Sequence, residues 1–174
     1  MNSTNHSPLY QQAVQDYGAD IARFTAGYER DPARRRELLQ EVHLALWQSL
    51  AQYKTDCSLR TWVYRVAHNV GVSHIQRSLR NAERNCLTLE EIEHMSSDTA
   101  EIAQTERRLD LQKVLALIHR LAPLDRQVML LYLEDMDAAG IADITGLSAR
   151  NVATKVHRIK TVLANQLGME RKTA

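Results

Sequence analysis

The stretch SLRTWVYRVAHNVGVSHIQR, Ser58 to Arg77, decides the fold. It follows a short polar loop, Thr55-Asp56-Cys57, and Ser58 is placed to cap a helix with its hydroxyl. Leu59, Val63, Val66 and Val70 recur at i, i+4, i+7 and i+11, which draws one apolar stripe. At 100° per residue, Thr61, Tyr64, Arg65, His68 and Asn69 fall on the other side, with Trp62 at the margin. A plain surface helix carries Lys and Glu there. This one carries cations, aromatics and an amide, with no acid before Glu83. Two readings are open on the residues alone. Cations neutralise phosphates and rings stack on unpaired bases, so the face suits single-stranded nucleic acid. Equally, aromatics at helical spacing pack into a core.

Working outward, the preceding ELLQEVHLALWQSLAQY gives a second helix, from about Ala33 to Tyr53, with a buried stripe of Leu39, Val42, Leu46 and Leu50. Glu37, Gln40, His43 or Leu44, and Trp47 share a neighbouring face. Trp47 is either extra core or an interface anchor, because interfaces concentrate binding energy in Trp, Tyr and Arg. Asp31-Pro32 opens this helix, since Asp caps and Pro suits a first turn. An earlier helix is expected over about Pro8 to Glu29, weakened by Gly18 and Gly27.

Past Arg80 the periodicity fades. NCLTLEEIEHMSSDTAEIAQT is acidic and reads as a flexible linker with one short helix at Leu89–His94. Helices resume at Glu106, with Leu109, Val114, Leu117, Ile118 and Leu121 inward, and again from Leu124 to Glu134 after Ala122-Pro123. Asp125-Arg126-Gln127 opens the latter. In DAAGIADITGLSARNVATKVHRIKTVLANQL, Ala142, Gly146 and Val152 stand at the spacing of a helix-turn-helix. It needs a small residue at the crossing, glycine at the turn and a β-branched lock. Ser148 caps the second helix. Val152, Val156, Ile159, Leu163 and Leu167 form its stripe, while Arg150, Asn151, Thr154, Lys155 and Arg158 lie outward near its start, where a recognition helix enters the major groove. Gly140 costs the first helix about 1 kcal/mol relative to alanine, so that helix should be short. A helical hairpin with a solvated basic face is the competing reading.

Composition bounds the function. The net charge is only +1, but its distribution is uneven. Arg60–Arg84 holds five arginines and one acid, Glu90–Asp110 seven acids and two arginines, and Arg150–Lys172 six cations and one acid. Two basic blocks around an acidic middle suggest two contacts with a polyanion. Cys57 and Cys86 build no disulfide framework and no strong metal site, which suits a reducing cytosol. No apolar run approaches the ~20 residues of a membrane span, and the N-terminus lacks the features of a signal peptide. No triad, phosphate-loop or metal-ligand spacing appears, so neither catalytic residues nor cofactors are expected.

RTWVYRVAHNV resembles the promoter-melting segment of bacterial sigma factors of the extracytoplasmic-function group. ELLQEVHLALWQSLAQY resembles their adjoining polymerase-binding helix, and LAPLDRQVMLLYLEDM with the helix-turn-helix resembles their promoter-recognition domain. The likeness runs from about Tyr10 to Leu167, with the motifs in family order. Three departures stand out: Arg34-Arg35-Arg36 where acids are common, and Ala139 and Gly140 where acids are frequent.

The resemblance implies an all-α fold of two small helical domains joined by a flexible linker, the second containing a helix-turn-helix. The expected divisions are an N-terminal tail over 1–7, a region 2-like domain over 8–81, an acidic linker over 82–105, a region 4-like domain over 106–168, and a tail over 169–174. It implies a cytoplasmic factor that binds core RNA polymerase, recognises a two-part promoter and opens DNA. Glu37, Gln40, Glu41, His43 and Trp47 would meet the polymerase, through the β′ clamp helices, with the β subunit as a further contact. Arg60, Trp62, Tyr64, Arg65, His68 and Asn69 would hold the minus-ten element, Asn69 reading a base. Arg150, Asn151, Thr154, Lys155 and Arg158 would read the minus-thirty-five element. Members are often held by an anti-sigma protein. A stand-alone dimeric helix-turn-helix regulator is the alternative function. A redox role for Cys57 is a lesser one.

Overall fold

A computed structural model describes residues 7–81 and 106–172, with side chains over 8–78 and 112–168. Residues 1–6, the linker with its short helix, Cys86 and residues 173–174 lie outside the described residues, whereas Ser7 opens α1 and the expected tail over 169–174 begins inside α7, which runs on to Lys172. Seven α-helices and one 3-10 turn make up the described chain. They are α1 (Ser7–Ala26), α2 (Pro32–Ser49), the 3-10 turn (Leu50–Gln52), α3 (Leu59–Asn81), α4 (Glu106–Arg120), α5 (Pro123–Leu133), α6 (Ala138–Thr145) and α7 (Ala149–Lys172).

The helices begin where side chains can replace missing intrahelical partners. Asp31 accepts from the amides of Ala33 and Arg34 at 3.0 and 2.8 Å, with Pro32 in the first turn. Ser58 Oγ accepts from Thr61 N at 3.1 Å, and Ser148 Oγ from Asn151 N at 3.2 Å. Each such cap contributes about 1 kcal/mol. The start of α6 has a cap that the sequence reading did not single out: Asp137 accepts from Gly140 N at 2.8 Å. That helix is only eight residues long, as Gly140 led us to expect.

Helices α1, α2 and α3 pack on one another around Ile21, Phe24, Leu38, Val42, Leu46 and Val63. Leu38, in phase with Val42, takes the buried place expected of Leu39, which is half-buried. Helices α4 to α7 close around Ile118, Leu121, Val128, Leu131, Ile141 and Ile159. Gly146 ends α6 at φ 76°, a left-handed turn that a Cβ would strain, and α7 crosses after it with Val152 fully buried. The polar triplet that opens α5 is buried rather than exposed. Arg126 donates to the carbonyls of His119 and Leu121, capping the open end of α4.

The two helical groups also touch. Helices α5 and α6 lie against α3. Gly27, just past α1, sits so close to α5 that a Cβ there would run into the Leu130 side chain. His119 Nε2 bonds the Ala26 carbonyl at 3.0 Å, and Arg30 donates to the Ala116 carbonyl at 2.9 Å.

Candidate nucleic-acid and polymerase interfaces

Three surfaces follow from this packing. The first is the outward row of α2. Glu37, Gln40, Glu41 and Trp47 are all exposed, and His43 is half-buried. Trp47 is 44 % exposed and Leu44 57 %, so this row shows water two large apolar side chains. Such a patch is more typical of an interface than of a free surface. His43 Nδ1 faces Tyr10 Oη at 3.2 Å, and burial lowers its pKa. Glu41 pairs with Arg77 of α3 at 2.6 Å. Between them a groove of about 350 Å³ is lined by Leu44, Ala45 and Gln48 of α2 and Asn69, Val70 and Ser73 of α3.

The second surface is the start of α3 with its entry loop. Trp62 Nε1 donates to Ser49 Oγ at 3.1 Å, and its ring meets Tyr53 edge-on at 5.4 Å. Tyr53 Oη in turn donates to the Cys57 carbonyl at 2.7 Å, which ties the loop to the 3-10 turn. Arg60 stands over the Tyr64 ring at 5.6 Å. Asn69 is exposed and edges the groove. Arg65 is half-buried, with a buried Nε that finds no partner among the described residues.

Two expectations for this face are corrected. Tyr64 and His68 do not face outward: Tyr64 is 0 % exposed and His68 5 %. Both sides of α3 are covered, not one. Helix α1 sends Phe24 edge-on against Tyr64 at 5.5 Å, and the turn after it brings Tyr28 Oη to 3.4 Å from His68 Nδ1. From α5's end, Glu134 accepts from Tyr64 Oη at 2.8 Å. Burial raises the Tyr64 hydroxyl's pKa, with the Glu134 bond adding to it. Burial lowers the His68 imidazole's pKa to about 4. Nothing in the local sequence announced Glu134; it lies 70 residues from Tyr64.

The third surface is the first two turns of α7. Arg150, Asn151, Thr154 and Arg158 are exposed on one side, opposite the buried Val152 and Val156. Lys155 departs from expectation. It is half-buried, and its Nζ pairs with Asp125 Oδ1 at 2.6 Å, because the start of α5 passes behind that turn.

Among the described residues no group of His, Cys, Asp and Glu could hold a metal ion, and no helix is long and apolar enough to cross a membrane. A helix-turn-helix with a basic leading edge, behind a helical group whose α3 carries half-buried arginines and an exposed amide, defines a DNA-binding protein of the transcription machinery. Comparison with known proteins agrees. The family model of Sigma-70 region 2 matches residues 13–81, and that of Sigma-70, region 4 matches residues 111–163. The RNA polymerase sigma factor NccH of Alcaligenes xylosoxydans xylosoxydans is 23% identical over 156 residues, 88% of this chain and 84% of that protein. The RNA polymerase sigma-H factor of Pseudomonas aeruginosa is 24% identical over 144 residues, 81% of this chain and 71% of its own length. Among solved structures, the sigma factor RpoE of Bartonella quintana, in complex with the anti-sigma factor NepR, matches with a TM-score of 0.70 at 16% identity, covering 91% of this chain and 96% of that one. CnrH, in complex with the cytosolic domain of CnrY, matches with a TM-score of 0.67 at 19% identity, covering 95% and 92%. These last two bear on the fold. The chain belongs to the sigma-70 family of RNA polymerase sigma factors, in its extracytoplasmic-function group.

Proposed function

We propose that this chain joins core RNA polymerase, recognises a two-part promoter and helps open it, without catalysing a reaction of its own. The observation that carries the reading is the order of the two matched regions, each falling on a helical group with an exposed face suited to its task. The exposed α2 row of Glu37, Gln40, Glu41 and Trp47, with His43 at its edge, is the polymerase-binding face. The leading edge of α7 enters the major groove of the upstream element. Arg150 and Arg158 contact phosphates or guanine edges, Asn151 pairs with adenine, and Thr154 lies beside them. Helix α3 engages the melted strand through Arg60, Arg65 and Asn69, with Trp62 bracing the entry loop. Unstacking a base costs a few kcal/mol, which contacts to the extruded base offset.

The working place of such a factor is the cytoplasm. An anti-sigma protein is its expected regulator, since both structural neighbours are complexes with a second protein, one of them named as an anti-sigma factor. The test is co-elution of the purified chain with bacterial core polymerase, beside a Glu37→Ala/Gln40→Ala double variant. A stable complex that the double variant loses supports the reading. No complex with a folded chain would refute it.

A further inference from the structure

Glu134 does more than end α5. It is 8 % exposed, and its carboxylate gathers Tyr64 Oη at 2.8 Å and Arg23 Nη2 at 3.0 Å. Its backbone carbonyl accepts from the Arg60 guanidinium. Arg23 belongs to α1, and Arg60 and Tyr64 to α3, so one acid from the C-terminal group ties two helices of the N-terminal group. Burying a carboxylate is costly unless it is paired, and here each side-chain partner comes from the other helical group. Gly27 against Leu130 adds an apolar fastening beside it.

The partners matter as much as the bond. Arg60 belongs to the set that, on the function proposed above, holds the melted strand, and Tyr64 lies one turn along the same helix with its ring beneath the Arg60 guanidinium. A cation and an aromatic hydroxyl are groups that a phosphodiester or an extruded base would use. We propose that Glu134 is an internal substitute for the nucleic acid: it latches α5 across α3, and the strand-holding face opens only when the latch releases. The inference rests on that reading of α3. It also accounts for the burial of Tyr64 without removing Tyr64 from the interface. His68 has no contact with Glu134; its hydroxyl partner is Tyr28, just past α1 in the N-terminal group.

Two consequences are fixed by thermodynamics. A strand that needs the open form binds with an apparent affinity reduced by the open fraction. Reciprocally, a bound strand weakens the contact between α5 and α3 by the same factor.

The test uses the full chain without polymerase. Small-angle scattering should give the wild type the radius of a compact body, about 16 Å for this length. Glu134→Ala, which removes the carboxylate, and Gly27→Ala, which pushes on Leu130, should each expand it while keeping helicity. Gly27→Ala leaves the polar cluster untouched, so it stands in should Glu134→Ala fail to fold. In parallel, a labelled oligo-dT of about 20 nucleotides at low salt should bind the opened variants some 5- to 150-fold more tightly than the wild type, the usual span of such coupling. A wild type already extended in solution would overturn the latch, as would expansion with no gain in oligonucleotide binding, or compact variants throughout. Failure to bind core polymerase is read separately and counts against the parent proposal alone.

Discussion

Lys155 Nζ stands 2.6 Å from Asp125 Oδ1, and this pair joins the recognition helix to the start of α5. The resemblance placed the lysine among the DNA-reading cations; here its ammonium holds the start of α5 to the second turn of α7, while Arg150 and Arg158 are exposed. Lys155→Met keeps the stem and removes the charge. Urea unfolding should show a loss of roughly 1–3 kcal/mol, since Asp125 is left without its partner. Binding to an upstream duplex, selected from a random pool with the holoenzyme, should weaken with an unchanged salt slope. Arg158→Ala should instead lower that slope by about 1, the signature of one lost phosphate contact. Equal slope losses in the two variants would make Lys155 a phosphate contact.

Trp47 and Leu44 are the exposed apolar pair of α2. Trp47→Ala should leave the unfolding midpoint nearly unchanged, within about 0.5 kcal/mol, as for most surface substitutions. Polymerase affinity should fall by at least about fivefold, the measure of an anchor residue that costs more than about 1 kcal/mol when truncated. Fluorescence-detected titration with core polymerase reads the second quantity and thermal melting the first. A cooperative loss of helicity with no selective loss of binding would mean that the indole is core.

Asn69 separates opening from duplex binding. It is exposed at the rim of the groove and lies on a different helix from the α7 cations. Asn69→Ala should leave binding to closed upstream duplex intact and lower the permanganate reactivity of promoter thymines in the holoenzyme. Normal reactivity would remove Asn69 from the strand-holding set.

The helix ends were legible because each is written in one or two residues. Asp31-Pro32, Ser58, Ser148 and Gly146 all do in the structure what their chemistry suggests. The stripes of α2 and α7 were legible within one position for the same reason: a period of 3.6 fixes a face. What periodicity does not carry is how many neighbours a helix has. The stripe Leu59-Val63-Val66-Val70 predicted one buried side for α3, but of it only Val63 is fully buried and the other three are half-buried, whereas Tyr64, Ala67, His68, Gly71 and Ile75 are buried. Their covers, Phe24, Tyr28 and Glu134, lie some 40 positions before and 70 after them. The polar triplet Asp125-Arg126-Gln127 opens α5 as read, but its burial was not written locally: its charges meet carbonyls of α4's end and Lys155 of α7.

His68 gives the chain a stability that depends on acid. Burial lowers its pKa from 6.5 to about 4, while the unfolded side chain keeps the ordinary value. Between those two pH values the unfolded state therefore binds more protons than the folded one, so stability is full above pH 6.5 and declines as the pH falls toward 4. Over the whole window this amounts to on the order of 3 kcal/mol, of which about 1.5 appears between pH 6.5 and 5. That upper part is diagnostic. Glu29 and Asp31, whose hydrogen bonds lower their pKa values below 4.5 and 3.8, lose their stabilising contribution only in more acid solution. His119 follows the same rule, with burial lowering its pKa to about 4. Urea melts from pH 8 to 5 should show a flat region and then a decline in the wild type. The decline should be shallower in His68→Gln and shallower still in a His68→Gln/His119→Gln double variant, with a remainder from His43, whose pKa burial also lowers. An unchanged decline in His68→Gln would mean that the imidazole is reached by water and titrates in the folded chain near its ordinary value.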